Sequence, residues 1–276
     1  MGSGLKLLDI PWIKAAAGKM DALKTPLESL GRFGMLLIDT ARWTFHRPFR
    51  TRNLLLQMEF IGAHSMSIIL LTGFFTGAVF ALQALIAFRL FNAESLVGST
   101  VALSLTRELS PVLTGLMVTG RCGSAMAAEI GTMRVTEQID ALHSMAVNPV
   151  HYLVVPRVLA ALVMVPMLTM VFNIVGTGGA YVVAVFFENI DAGIFLHNVY
   201  WMVDPMDLYI SLAKSLFFGY ILSLIGCYKG YTTSGGARGV GRATTQAVVA
   251  ASVTILVSDY FLTQFINTVF EQKTWN

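Results

Sequence analysis

The 276 residues carry a net charge of +3, are 55% hydrophobic and only 13% charged, and have a mean hydropathy of +0.67. A water-soluble domain carries about 25% charged residues, and a single core of this size could not bury so much apolar surface. The apolar residues also form blocks of the roughly 20 residues that a helix needs to cross a bilayer. Composition therefore excludes a soluble fold and predicts an all-α integral membrane protein.

A basic, amphipathic N-terminal segment is predicted at residues 1–52, before a membrane domain at residues 53–276. Leu, Ile and Trp are interspersed with Lys and Asp over residues 5–14, a run too short and too interrupted for a signal-peptide core. A helix that lies in the membrane interface fits this pattern, and residues 30–45 repeat it before a basic run. The alternative is a solvated tail.

Five membrane-spanning helices are predicted after this segment, at residues 61–88, 103–127, 153–187, 208–228 and 244–270. The third is long enough to tilt or to contain a break around the glycines at 176–179. A glycine-rich stretch at 235–241, between the fourth and fifth spans, is predicted to be a flexible turn.

The distribution of Lys and Arg predicts that the N-terminus lies in the cytoplasm and the C-terminus outside. In that orientation, every Lys and Arg outside the spans lies in a cytoplasmic segment except Arg89 and Lys273. The outer segments instead contain acidic residues, namely Glu94, Glu188, Asp191 and Asp204.

A short amphipathic helix is predicted at residues 129–146, on the cytoplasmic side between spans two and three. Its apolar and polar sides comprise, respectively, Met133, Ile139, Leu142 and Met145, and Arg134, Glu137 and Asp140. Such a helix is too polar to insert into lipid. Two interpretations stay open: a docking surface for a cytoplasmic partner, or a connector that lies on the lipid surface.

Apart from Arg121 and Arg157, which lie near cytoplasmic span ends, four charged residues fall inside the predicted spans: Arg107, Glu108, Lys214 and Asp259. A charge at the bilayer centre costs at least about 2.5–3.5 kcal/mol, so each is a candidate functional residue. Counted from Arg121, Lys229 and Arg242, the last three lie 13, 15 and 17 positions into their helices, which is roughly 20–26 Å. We therefore expect the four charges at one level in the outer half of the bilayer. They either contact a lipid headgroup or form ion pairs that only fix helix packing.

An apolar surface for lipid tails is predicted on or just after span one. The candidates to line it are Phe75, Leu82, Leu85 and Phe91. Ordinary packing or contact with bulk lipid is the alternative for each. On the same span, Gly73, Gly77 and Ala81 recur at a spacing of four, which predicts close approach of another span or of a second copy of the chain.

Four stretches of the sequence resemble the permeases of the MlaE family: residues 102–111 (ALSLTRELSP), 120–131 (GRCGSAMAAEIG), 134–139 (RVTEQI) and 241–245 (GRATT). The resemblance extends over nearly the whole chain from about residue 30, in order and at the family's spacing. It implies an ABC transporter permease that moves phospholipid, works as a homodimer in the bacterial inner membrane and maintains the lipid asymmetry of the outer membrane. The partners that it implies are a cytoplasmic ATPase, a STAS-domain accessory protein and a hexameric periplasmic ring of MCE-domain proteins.

The resemblance also implies roles for individual residues. Arg107, Glu108 and Lys214 match family residues of the lipid-transport region, and Asp259 is predicted at the same level. The ATPase would couple through residues 129–146. The candidate contacts there are Glu129, Arg134, Glu137, Ile139 and Asp140.

The sequence contains no G-x-x-x-x-G-K-[ST] motif, so the chain is not expected to cradle ATP phosphates in a P-loop. It also lacks a Cys/His metal pattern, a G-x-S-x-G elbow and an H-E-x-x-H motif. We expect a non-catalytic subunit without a metal or cofactor of its own, in which a partner binds ATP. The alternatives are a secondary transporter that couples ions through Glu108 and Asp259, a membrane enzyme of lipid metabolism, and a permease for a sterol or another lipid.

Overall fold

The computed structural model describes residues 11–44 and 51–270 of the chain, and the regular structure within them is entirely helical. The chain divides into two compact units, residues 1–47 and residues 48–276. The membrane-spanning helices all belong to the second unit.

Helix α1 (Pro11–Thr44) belongs to the first unit and is continuous over 34 residues. The sequence predicted two amphipathic segments here, at residues 5–14 and 30–45, and most of the first lies outside the described residues. In the described part, helix also fills the interval between the two segments. Its placement in the membrane interface stays a prediction.

The second unit contains seven helices among the described residues: α2 (Thr51–Arg89), α3 (Glu94–Val135), α4 (Gln138–Ser144), α5 (Val150–Phe187), α6 (Ala192–Met202), α7 (Pro205–Tyr231) and α8 (Gly236–Phe270). Within the described ranges, α2, α3, α5, α7 and α8 are long and apolar enough to cross a membrane. The predicted number of spans is therefore confirmed. Which ends face the cytoplasm stays a prediction.

Three features of the spans and their connections bear on the prediction. The α-helical part of α5 (Val155–Tyr181) runs without interruption past its glycines, so of the two alternatives, a tilt or a break around 176–179, the break is absent. The stretch at 235–241 is also not a flexible turn. Only Gly235 and Gly236 have a positive φ, and α8 begins at Gly236. The third feature is α6, a short helix after α5 that the sequence analysis did not predict.

A close helix contact in the second unit joins α2 to α5 through glycines. A Cβ added to Gly77 would overlap the carbonyl oxygen of Gly176, and one added to Gly179 would overlap the carbonyl oxygen of Phe74. A Cβ added to Gly73 would lie 3.5 Å from the ring of Phe172. The small residues of span one therefore pack against span three within the chain, as one of the two predicted alternatives required.

Candidate functional site

The central feature of the site is a π-helical turn in the middle of α3, at Leu105–Leu109. Such turns insert an extra residue into an α-helix and occur frequently at functional sites. Here the turn contains Arg107 and Glu108 and is followed at once by Pro111. Because proline has no N–H, the carbonyl of Arg107, four residues earlier, is left without its normal helical donor.

Lys214 of α7 supplies that missing donor. Its Nζ donates to the Arg107 carbonyl at 3.2 Å, to Glu108 Oε2 at 2.6 Å and to Thr263 Oγ1 of α8 at 2.7 Å. Asp259 Oδ1, also on α8, lies 3.2 Å from the same nitrogen as an ion pair. Each of the three ammonium protons therefore has an acceptor, which makes a buried lysine tolerable in an apolar environment.

The side chain of Arg107 contacts a different residue of α7 from the one that Glu108 contacts. This is expected, because adjacent residues of a helix point about 100° apart. Its Nε donates to Asp207 Oδ1 at 2.6 Å. Asp207 also closes a capping box at the start of α7, where its Oδ2 accepts from the backbone N–H of Asp204 at 3.0 Å. Asp207 is not among the predicted site residues, because hydropathy places the start of span four at residue 208.

The charged cluster comprises Arg107, Glu108, Asp207, Lys214 and Asp259. The prediction that the four intramembrane charges lie at one level is confirmed for Glu108, Lys214 and Asp259, which meet directly. The Lys214 side chain is 1% exposed, whereas those of Glu108 and Arg107 are 42% and 47% exposed. The buried ammonium of Lys214 therefore pairs with the half-exposed carboxylate of Glu108. The buried carboxylate of Asp207 pairs in the same way with the half-exposed guanidinium of Arg107. Glu108 and Arg107 therefore place one negative and one positive group, each about half exposed, at the surface of the second unit.

Three of the four predicted tail-lining residues are on the surface of the second unit: Phe75, Leu82 and Phe91 are exposed. The prediction for Leu85 is wrong. Its side chain is only 1% exposed and belongs to the packed face of α2, as does that of Ala81 four residues earlier.

The predicted helix at 129–146 is not one helix. Residues up to Val135 continue α3, and the direction changes at Glu137, which has a φ of 60°, before α4 begins at Gln138. Arg134 and Asp140 bridge this corner with an ion pair of 2.7 Å. We call residues 129–146 the elbow.

Two of the predicted partner contacts in the elbow make contacts within the chain: Ile139 is buried, whereas Glu129 forms an ion pair while its side chain stays 48% exposed. Ile139 is fully buried within the chain, so it is not available to a partner. Glu129 forms an ion pair of 2.8 Å with Arg157 of α5, whose side chain is 8% exposed and also donates to the Leu153 carbonyl. The exposed surface of the elbow includes Glu129, Glu137 and Asp140, and also the apolar Met145, which is 65% exposed.

No group of three or more His, Cys, Asp or Glu side chains is placed to hold a metal ion within residues 11–44 and 51–270. The two cysteines, Cys122 and Cys227, are buried and unbridged.

Comparison with known proteins places this architecture in a family. The profile described as Permease MlaE matches residues 54–265. The chain is 45% identical over 237 residues to a probable ABC transporter permease protein of Rickettsia conorii, which covers 86% of this chain and 92% of the relative. It is 48% identical over 211 residues to a probable ABC transporter permease protein of a Synechocystis species, covering 76% of this chain and 80% of the relative.

A plant protein is also similar. Protein TRIGALACTOSYLDIACYLGLYCEROL 1, chloroplastic, of Arabidopsis thaliana is 40% identical over 214 residues, which are 78% of this chain and 61% of the plant protein. The family profile covers the five spans from residue 54 to residue 265 and the whole charged cluster. The chain is a multi-pass membrane protein that belongs to the MlaE permease family.

Proposed function

We propose that this chain is the non-catalytic, membrane-spanning subunit of an ABC transporter that moves phospholipid. In this proposal it acts in the bacterial inner membrane as a homodimer and exchanges lipid with a hexameric periplasmic ring of MCE-domain proteins. A separate cytoplasmic ATPase, with a STAS-domain accessory protein, binds and hydrolyses the ATP. The consequence for the cell is maintenance of outer-membrane lipid asymmetry.

The observation that best supports a phospholipid as the substrate is the pair of half-exposed charges in the charged cluster, Arg107 and Glu108. A phospholipid headgroup brings a phosphate and, in zwitterionic lipids, an ammonium group. Arg107 is the natural partner of the phosphate and Glu108 that of the ammonium, because both reach the surface while their own partners stay buried. The exposed Phe75, Leu82 and Phe91 supply apolar surface for the tails.

Family membership supports the coarser part of the proposal. Two of the relatives are named as probable ABC transporter permeases, and an ABC permease works with an ATPase. The Arabidopsis relative is named after a galactosylated diacylglycerol, which supports a glycerolipid as the substrate proposed for this chain. The exposed polar residues of the elbow offer the ATPase a docking surface that needs no buried residue to move.

The proposal is tested by comparing two arginines that have equal exposure. Arg89, at the end of α2, pairs with Glu188 and Glu94, and its side chain is 47% exposed, as is that of Arg107. We expect Arg107→Gln to lower ATP-dependent phospholipid transfer by about tenfold or more in proteoliposomes with the partner subunits, since a charge-assisted hydrogen bond contributes roughly 1.5–3 kcal/mol. Arg89→Gln should leave the rate near the wild-type value. Equal rates for both variants would contradict the role of Arg107.

A further inference from the structure

A groove lies on the side of the second unit, between α3, α5, α6 and α7, with a volume of about 440 Å³. This volume is within the range of small-molecule binding sites. The walls are almost entirely apolar. The residues that line the groove include Asn173, Ile174, Gly178, Tyr181 and Leu196.

Asn173 lines this groove and carries a buried side-chain amide. The residue is 6% exposed, and neither its Oδ1 nor its Nδ2 has a hydrogen-bond partner in the part of the chain that the structure describes. An unpaired buried amide costs about 1–3 kcal/mol, so such groups in native proteins nearly always have a partner. Because Asn173 lines the groove, an occupant of the groove is the natural source of that partner.

The position of the groove limits what this occupant can be. One wall is formed by α6, whose exposed Tyr200 and Trp201 are typical of the membrane–water interface. Asn173 lies about two helical turns before Tyr181, which also lines the groove. The groove therefore extends from the region below the headgroups into the hydrocarbon, where the available ligands are lipids. A plain hydrocarbon chain would leave the amide unpaired, whereas a glycerolipid brings ester carbonyls at the boundary between headgroup and tails.

We propose that this groove binds one glycerolipid molecule, with an acyl chain along the apolar walls and an ester carbonyl that accepts a hydrogen bond from Nδ2 of Asn173. The site is distinct from the half-exposed charges of Arg107 and Glu108, since neither residue lines the groove. It does not depend on the proposed transport function, because binding here requires neither ATP nor a partner subunit.

The first test fills the groove. Gly178 lines it, and a Cβ added there meets no atom within 4 Å, so Gly178→Phe places a ring in the groove without displacing protein atoms near the backbone. Gly120 of α3 is equally open and does not line the groove, so Gly120→Phe is the matched control. The probe is a phosphatidylglycerol with a diazirine in one acyl chain, incorporated into nanodiscs that contain the purified chain. Cross-links to Ile174 and Leu196 should be lost in Gly178→Phe and retained in Gly120→Phe.

The second test examines the amide. Asn173→Leu should lower labelling of the groove by the phosphatidylglycerol probe about five- to tenfold, because one hydrogen bond is lost. Labelling by a diazirine-bearing alkane should not fall, since that probe has no carbonyl. The proposal is overturned if Gly178→Phe retains the cross-links, or if Asn173→Leu lowers labelling by neither probe or by both probes equally. Melting temperatures of the variants separate loss of binding from loss of folding.

Discussion

Lys214 is a full positive charge in the apolar interior, and its neighbours explain how it is stabilised. Oxygen atoms from α3 and α8 surround its ammonium group, and one of them, the Arg107 carbonyl, is available because Pro111 has no N–H. Lys214 therefore ties the π-helical turn of α3 to α7 and α8. The same contact fixes the direction of Glu108, one of the two charges proposed to meet the headgroup.

Loss of Lys214 leaves Glu108 and Asp259 without their shared cation. We expect Lys214→Met to lower the free energy of unfolding by roughly 3–5 kcal/mol, because removing one member of a buried ion pair leaves an uncompensated charge. Adding Glu108→Gln to that variant should restore part of the loss. Denaturant unfolding in detergent measures both. A double variant whose loss equals the sum of the two single losses would show that the two residues are not coupled.

The charges of the cluster could be predicted from the sequence in part. An ionisable residue inside an apolar run is visible in the sequence, and helical geometry gives its approximate depth, so Glu108, Lys214 and Asp259 were expected at one level. Asp207 was missed because hydropathy places the start of span four after it, at residue 208. The spacing Asp204-Pro205-Met206-Asp207 has the form of a capping box and would have extended the helix to include it.

At the scale of elements, the contact between α2 and α5 depends on the absence of side chains. We expect Gly77→Ala to prevent stable folding or to lower the melting temperature strongly, since its methyl group would overlap the Gly176 backbone, which cannot move alone. Gly120→Ala is the control, because an added Cβ at Gly120 meets nothing within 4 Å. Alanine should be neutral or stabilising there by up to about 1 kcal/mol. Thermal unfolding of the two variants side by side decides the point, and equal melting temperatures would exclude the close contact.

Two adjacent residues of the elbow differ in exposure: Ile139 is buried and Asp140 is exposed. Ile139→Asp should destabilise the chain, because it places an unpaired carboxylate where the side chain is fully buried. Asp140→Lys removes only an exposed ion pair and should change the free energy of unfolding by no more than about 1 kcal/mol. If the elbow docks the ATPase, Asp140→Lys should nevertheless reduce the amount of ATPase that co-purifies. Undiminished co-purification with this stable variant would exclude Asp140 from the contact.

Element type was predictable and element ends were not. The apolar runs gave all five spans, but α3 begins at Glu94 and ends at Val135, well beyond the predicted 103–127. Backbone hydrogen bonds continue a helix past the residues that lie in lipid, and hydropathy reports only the latter. The corner at Glu137 could not be read from periodicity either, because a positive φ at a non-glycine residue leaves no pattern in the sequence.

At the scale of the whole molecule, the proposed coupling to the ATPase requires that the elbow faces the cytoplasm. The buried Cys122 and Cys227 provide a low background for thiol labelling. We expect Gln138→Cys to react with a membrane-impermeant maleimide only in inverted membrane vesicles, and Tyr200→Cys only in intact spheroplasts, because Lys and Arg residues favour the cytoplasmic side. Labelling of Gln138→Cys from outside would reverse the predicted topology.

The most direct test of the central claim is the energy source for lipid movement. Proteoliposomes that contain this chain are prepared with and without the ATPase and the other partner subunits, and transfer of a labelled phospholipid is measured with ATP or with an imposed proton gradient. We predict transfer only with both ATP and the ATPase subunit, and no transfer with the gradient alone. Gradient-driven transfer by this chain without any partner would contradict the account.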